Sequence, residues 1–295
     1  MSQQITIEYL LFGAVLISLL LSIVGSRINL PIFSVLGRWL RWFAFAGVFV
    51  LVMHYFELSF RPVWIHFLTG ITLWFLLETA YNWLAINALS NSDIPLFPSF
   101  KINDEGDEWP ANKEFIAVRE WLRTAQFKRL SALKAKLYGE MYLRALIYES
   151  ADKKTRIQLL FIPTRKSAAS VCYTITSQPA SSSSRLITDN LFLPYGGYYP
   201  EGWEVLRKPL IGSLQRLYRL HEKRLSIFEH ITVVFEDTAL DELNDQQRIL
   251  EKLNLKIGFL VPLQEREADG KITYEGRYRI WKEMWLLAYF GRTVS

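Results

Sequence analysis

The sequence predicts a membrane protein in which three N-terminal transmembrane α-helices precede a cytoplasmic α+β domain with a mainly antiparallel sheet. Three observations carry this. Residues 1–95 hold only Arg27, Arg38, Arg41 and Arg61 against Glu8, Glu57, Glu78 and Asp93, so 30 of the 34 basic residues, 25 of the 29 acidic ones and the whole net charge of +5 fall in residues 96–295. Within the charge-poor part, apolar runs of about 20 residues, the length that crosses about 30 Å of hydrocarbon, occur three times. Beyond residue 112 the hydrophobic spacing switches between the three-to-four period of helices and the two-residue period of strands.

The spans are expected at about 5–25, 39–60 and 63–89, making residues 1–89 the transmembrane region. The first has Glu8 at its edge, and residues 1–6 lack the basic start of a cleavable signal peptide, so this span is expected to stay attached. The loop at 25–42 carries Arg27, Arg38 and Arg41, against Arg61 alone in the turn at 59–62. Basic residues mark cytoplasmic loops, so the N-terminus is expected outside and the chain after residue 89 inside, at a cell (inner) membrane. Pro62 suits the start of the third helix. Trp39 and Trp42 at an inner end, and Tyr9, Tyr55 and Trp64 at outer ends, match interfacial aromatic belts.

Ionisable groups inside a span are costly and point to function. Glu8 and Glu57 lie near an outer boundary, within reach of headgroups. Glu78 is 15 residues into its span, with Asn82 one turn on along the same face; the pair serves helix packing or proton-coupled structure, or Glu78 snorkels or stays a neutral, protonated acid. His54 and His66 stand at the ends of adjacent spans, but their bulky aromatic neighbours argue against a haem between them.

Residues 90–112 read as an acidic, proline-containing linker, with Pro95, Pro98 and Pro110 breaking any helix and Asp104, Glu105, Asp107 and Glu108 clustered without calcium-loop spacing. The domain then occupies 113–295. A helix is expected over 113–137, with Arg119, Arg123, Lys128 and Arg129 on its basic faces. Strands are expected at 140–149, 156–162, 169–177, with one wet face, and 185–193. Leu206, Leu210, Leu214, Leu217, His221, Leu225 and Phe228 predict one long helix with a basic stripe of Arg216, Arg219 and Lys223. Strands at 231–235 and 256–261, a helix at 240–253 and a last, aromatic helix at 274–290 complete the domain.

No motif names a reaction. The sequence lacks the phosphate-binding, nucleophile-elbow, zincin and paired-cysteine patterns, and Cys172, its one cysteine, excludes a disulfide scaffold. No cofactor and no metal site is expected. His221 and Asp189 are the catalytic candidates; His221 lies on an apolar stripe, where a hydrogen-bonded core histidine is the other reading. Tyr195, Gly196, Gly197, Tyr198 and Trp203 form a glycine- and aromatic-rich loop suited to gripping a ligand or partner. The basic residues of the two helices are expected to meet anionic lipid. The function expected is a membrane-anchored, non-catalytic interaction, sensory or scaffold domain at the cytoplasmic face. Its partners are the bilayer and a protein partner, small ligand or second copy, with no specific nucleic acid. A membrane-tethered enzyme and a subunit of a transport or proton-handling complex are the alternatives.

Overall fold

The computed structural model describes residues 31–104, 109, 113–162, 170–179, 184–227, 232–266 and 270–293, with five helical positions between 13 and 23. The expected first span therefore lies largely outside the described residues. Two helices among the described residues, α1 (Pro31–Tyr55) and α2 (Val63–Ser90), are long and apolar enough to cross a membrane.

They form an antiparallel hairpin. Gly70 lets them touch, because a Cβ there would come within 2.9 Å of the Ala46 Cα. Helix α1 starts earlier than expected, at Pro31, whose fixed φ suits the first helical turn, and ends at Tyr55. Arg38 and Arg41 therefore belong to the helix and not to a loop. The turn that follows holds Glu57 at φ 49 before Pro62 caps α2.

The sheet domain runs β1 (Lys101–Ile102), α3 (Lys113–Thr124), β2 (Lys128–Tyr138), β3 (Met141–Glu149), β4 (Thr155–Ile162), β5 (Ser170–Pro179), β6 (Arg185–Asp189), β7 (Trp203–Arg207), α4 (Leu214–Ile227), β8 (Thr232–Val233), α5 (Ala239–Lys256) and α6 (Tyr274–Phe290). Strands β1 to β7 pair in chain order, β8 pairs with β5, and every pairing is antiparallel except β6 with β7. Both faces are covered. Leu122, Leu214 and Leu217 of α3 and α4 pack with Ile157, Leu159 and Ile175 on one side, while Ala239 and Leu243 of α5 pack with Leu133, Ala145 and Ile147 on the other.

Four local expectations are corrected. The helix of 113–137 stops at Thr124, because Phe127 N–H bonds Leu122 C=O at 2.9 Å and Gln126 N–H bonds Arg123 C=O at 3.1 Å, with Gln126 at φ +59. This is the glycine-type helix stop made without a glycine. Lys128 and Arg129 consequently stand on β2. The helix predicted from Leu206 begins only at Leu214. Pro209 lacks the N–H a helix interior needs, and Leu206 belongs to β7, which pairs with β6.

The strand of 256–261 reduces to a single bridge between Leu260 and Ile272, since α5 runs on to Lys256. Strand β5 has no wet face: Cys172, Thr176, Ser177 and Gln178 are all buried. Helix α6 has the expected bounds. Thr273 accepts from Gly276 N–H at its start, and Gly291 closes its end at φ 58.

Candidate functional site

The two catalytic candidates, His221 and Asp189, lie close in the fold but on different sides of β6. Adjacent strand residues point to opposite faces, so Thr188 turns toward α4 and Asp189 toward the loop before β7. His221 is fully buried. Its Nδ1 is 2.9 Å from Thr188 Oγ1 and its Nε2 3.1 Å from Ser177 Oγ, while Arg224 Nη1 donates to Thr188 Oγ1 at 2.7 Å. Burial first, and the Arg224 charge second, pull its pKa down to about 3, so the ring is neutral at any physiological pH. Both ring nitrogens are engaged within the core, and the residue acts as a packed, hydrogen-bonded joint between α4 and the sheet.

Asp189 accepts from Arg207 Nε at 2.9 Å and from Leu191 N–H at 3.0 Å. Arg207 reaches on to the Tyr199 hydroxyl at 2.9 Å and to Glu283 of α6 at 3.4 Å. Burial opposes the Arg207 charge, but Asp189, Tyr199 and Glu283 outweigh it, so the guanidinium is held above its ordinary range. This network joins β6, β7 and α6.

The loop of Tyr195, Gly196, Gly197, Tyr198 and Trp203 grips its own chain. Gly196 N–H donates to Glu283 at 3.0 Å and its carbonyl accepts from Arg279 Nε at 2.7 Å. At φ +65 a Cβ on Gly196 would fall 2.8 Å from the Ile280 nitrogen, and one on Gly197 2.9 Å from Asn254 Oδ1. Tyr198 lies under the Arg279 guanidinium at 3.8 Å, and Asn254 of α5 bonds both the Tyr198 N–H and its C=O. Trp203 is buried at the start of β7. The glycines admit the close approach of helices α5 and α6.

A second buried charge cluster has no counterpart in the sequence reading. Arg156 of β4 bonds Glu149, Glu242 and the Asp237 carbonyl and stacks over Phe235 at 4.4 Å, and Arg185 approaches Glu242 at 3.6 Å. It ties α5 to the sheet. The residues are 86 apart at the Arg156–Glu242 contact, and spacing along the chain carries no sign of such a pairing.

The most telling arrangement is at the hairpin. Glu78 of α2 accepts from Arg38 Nη1 of α1 at 2.8 Å, from Trp74 Nε1 at 2.9 Å and from the Tyr289 hydroxyl of α6. Trp39 Nε1 donates to the Tyr289 carbonyl at 2.8 Å, and Trp285 stacks on Tyr289 with ring centroids 4.7 Å apart. Three helices thus converge on one carboxylate. Asn82 is buried one turn further along α2. His66 is buried and His54 exposed.

Below this clasp, Arg277 of α6 bonds the Asn87 side chain at 3.1 Å. Lys271 Nζ donates to the Ser92 carbonyl at 2.7 Å and to Ile94, beside a cavity of about 400 Å³ lined by Asp93, Glu251 and Arg266. The basic candidates Arg119, Arg123, Lys128, Arg129, Arg216, Arg219 and Lys223 are all exposed. Those on α3 and α4 cover the sheet face opposite α5. No protein-family model, curated protein or solved structure matches this chain.

Proposed function

We propose that the protein is a membrane-anchored, non-catalytic interaction domain. It is tethered by the α1–α2 hairpin at the cytoplasmic face of a cell membrane, and it presents one edge of its sheet to a protein partner. The observation that carries the reading is the clasp at Glu78. A domain fastened to both membrane helices through its own last helix is held in a fixed attitude, as a platform requires. The groups that looked chemical are spent on the same rigidity: His221 locks α4 to the sheet, and Asp189, Arg207 and the 195–203 loop lock α6 to it. The arginines at 38 and 41 favour the cytoplasmic side.

The surface that fits a partner is the outer edge of β2. Among the described residues this 11-residue strand meets β1 there over two residue pairs, Lys101 with Lys134 and Ile102 with Leu133. Backbone donors and acceptors at a sheet edge accept an added strand, and exposed Lys128, Arg129 and Lys136 favour an acidic one. A photo-crosslinking residue at Tyr138 in the full-length, membrane-bound protein tests this. It should capture a discrete protein that a crosslinker at Arg216 does not, and charge reversal of Lys128, Arg129 and Lys136 to Glu should abolish that product. Identical products from both positions, or capture indifferent to the reversal, would refute the edge as the docking surface.

A further inference from the structure

Helix α6 runs antiparallel to the second half of α2. Tyr274 at its start stacks on Trp83 with ring centroids 5.5 Å apart, Trp285 lies 5.0 Å from Phe75, and Tyr289 reaches Trp74 and Glu78. The helix therefore climbs along the hairpin from the water-facing end of α2 toward the turn. At 1.5 Å per residue Glu78 lies about 22 Å from Val63, and about 30 Å of hydrocarbon measured from Val63 ends near residue 83. The last turns of α6 stand on the bilayer side of that level.

The exposed residues of α6 change character in the same direction. They are Tyr274 (77% exposed), Glu275 and Tyr278 (49%) at its start, Lys282 in its middle and Phe290 (55%) at its end. The helix begins amphipathic, carries its one lysine about 12 Å along, where an ammonium can reach headgroups, and ends on Phe290, whose half-exposed ring stands edge-on to Trp39 of α1 at 5.9 Å. The hairpin also exposes Leu76 and Leu77, beside the α2 residues Trp74, Phe75 and Glu78 that the end of α6 contacts. An aromatic helix end at such a level covers its surface with lipid.

We propose that α6 is a half-inserted membrane helix. Its C-terminal turns, through Phe290, enter the cytoplasmic leaflet alongside α1 and α2, Lys282 lies at the headgroups, and Tyr274 stays in water. The domain then contacts the bilayer through its last helix as well as through the hairpin, and the clasp of Arg38, Glu78 and Tyr289 is a partly buried polar joint within the membrane, its charges paired as such a site demands. This rests on the reading that α1 and α2 span the membrane.

The test is spin-label depth measurement on the full-length protein in phosphatidylcholine–phosphatidylglycerol vesicles. Labels are placed at Phe290→Cys, Lys282→Cys and Tyr274→Cys, with Leu68→Cys, about 8 Å inside the span from Val63, as the lipid reference and Lys252→Cys as the aqueous one. Buried Cys172 is replaced by Ala. Phe290→Cys should match Leu68→Cys, accessible to oxygen and shielded from an aqueous nickel complex, with Lys282→Cys intermediate and Tyr274→Cys like Lys252→Cys. Arg292→Cys repeats the reading beyond Gly291 in case the first label disturbs the stacking. If Leu68→Cys reads lipid while Phe290→Cys and Arg292→Cys both read like Lys252→Cys, the insertion of α6 is overturned and the hairpin stands. If Leu68→Cys itself reads aqueous, the membrane reading fails with it.

Discussion

The hairpin and the sheet domain both bury charge, and they do so on different terms. In the domain, Arg207 is closed in by Asp189, Tyr199 and Glu283, with the Arg207–Asp189 pair only 4% and 5% exposed, and every partner belongs to the domain or its last helix. At the hairpin, Glu78 is 12% exposed and its Arg38 partner 35%, and the three donors come from α1, from α2 itself and from the domain's last helix. The first network is part of what makes the domain fold. The second joins the domain's last helix to the hairpin.

Breaking each in turn separates the two roles. Arg207→Ala leaves two buried carboxylates without their cation and should cost about 3–5 kcal/mol, lowering the thermal midpoint of the purified full-length protein and exposing the whole domain to proteolysis. A domain that melts at the wild-type temperature would remove this network from the fold's essentials.

Acid provides the next largest effect. Below pH 6.5 an unfolded histidine takes up a proton that buried His221, with its pKa near 3, refuses, so the unfolded state binds more protons and stability falls as pH falls. The loss is about 1.4 kcal/mol per pH unit at most across that window. His221→Gln removes the titration while keeping hydrogen-bonding atoms in the site. Its stability, followed by urea unfolding between pH 6.5 and 4.5, should fall less steeply than that of the wild type, and parallel slopes would contradict the burial argument.

Glu78→Leu should cost less, about 1–3 kcal/mol for the donors of Arg38, Trp74 and Tyr289 left unsatisfied, and the loss should be local. Hydrogen exchange should accelerate in α6 from residue 285 onward and remain slow in β3 to β5, with Glu78→Gln intermediate because its amide oxygen still accepts. Uniform acceleration across the sheet would mean that the clasp is part of the domain's fold and not a joint. The smallest effect is a gain. Gln126→Gly relieves a left-handed residue and should raise domain stability by about 1 kcal/mol without altering α6 docking, measured by the same exchange experiment.

Legibility in the sequence follows from where the causes lie. Helix α6 was readable end to end because its signals are local: a Thr cap, a three-to-four apolar spacing and a glycine in the left-handed region. Helix α3 was not, because Gln126 takes the position where glycine normally announces a stop, and Leu130, Leu133 and Leu137 continue the helical spacing into what is a strand. Pro209 was a readable stop for the predicted helix that began at Leu206, but strand β7 itself gave no alternation strong enough to outweigh the leucine spacing. Its identity comes from pairing with β6. The candidate residues divide the same way: Glu78 stood out because a carboxylate in an apolar run is conspicuous by itself, whereas Arg207, Arg156 and Tyr289 sit in ordinary surroundings along the chain.

By itself the sequence determined the charge-poor N-terminal third, the two long apolar helices, the alternating strands and the polar oddity at Glu78. These are matters of composition and short-range period, and each is settled within one continuous stretch of the chain. The tertiary structure alone decided what the oddities do. It set Tyr289 against Glu78 across 211 residues, closed the glycine loop onto α5 and α6, and made His221 a neutral core group. The physical reason is range: hydrogen bonds and ion pairs act over a few ångströms, so which group satisfies a buried charge depends on which elements the whole fold brings together.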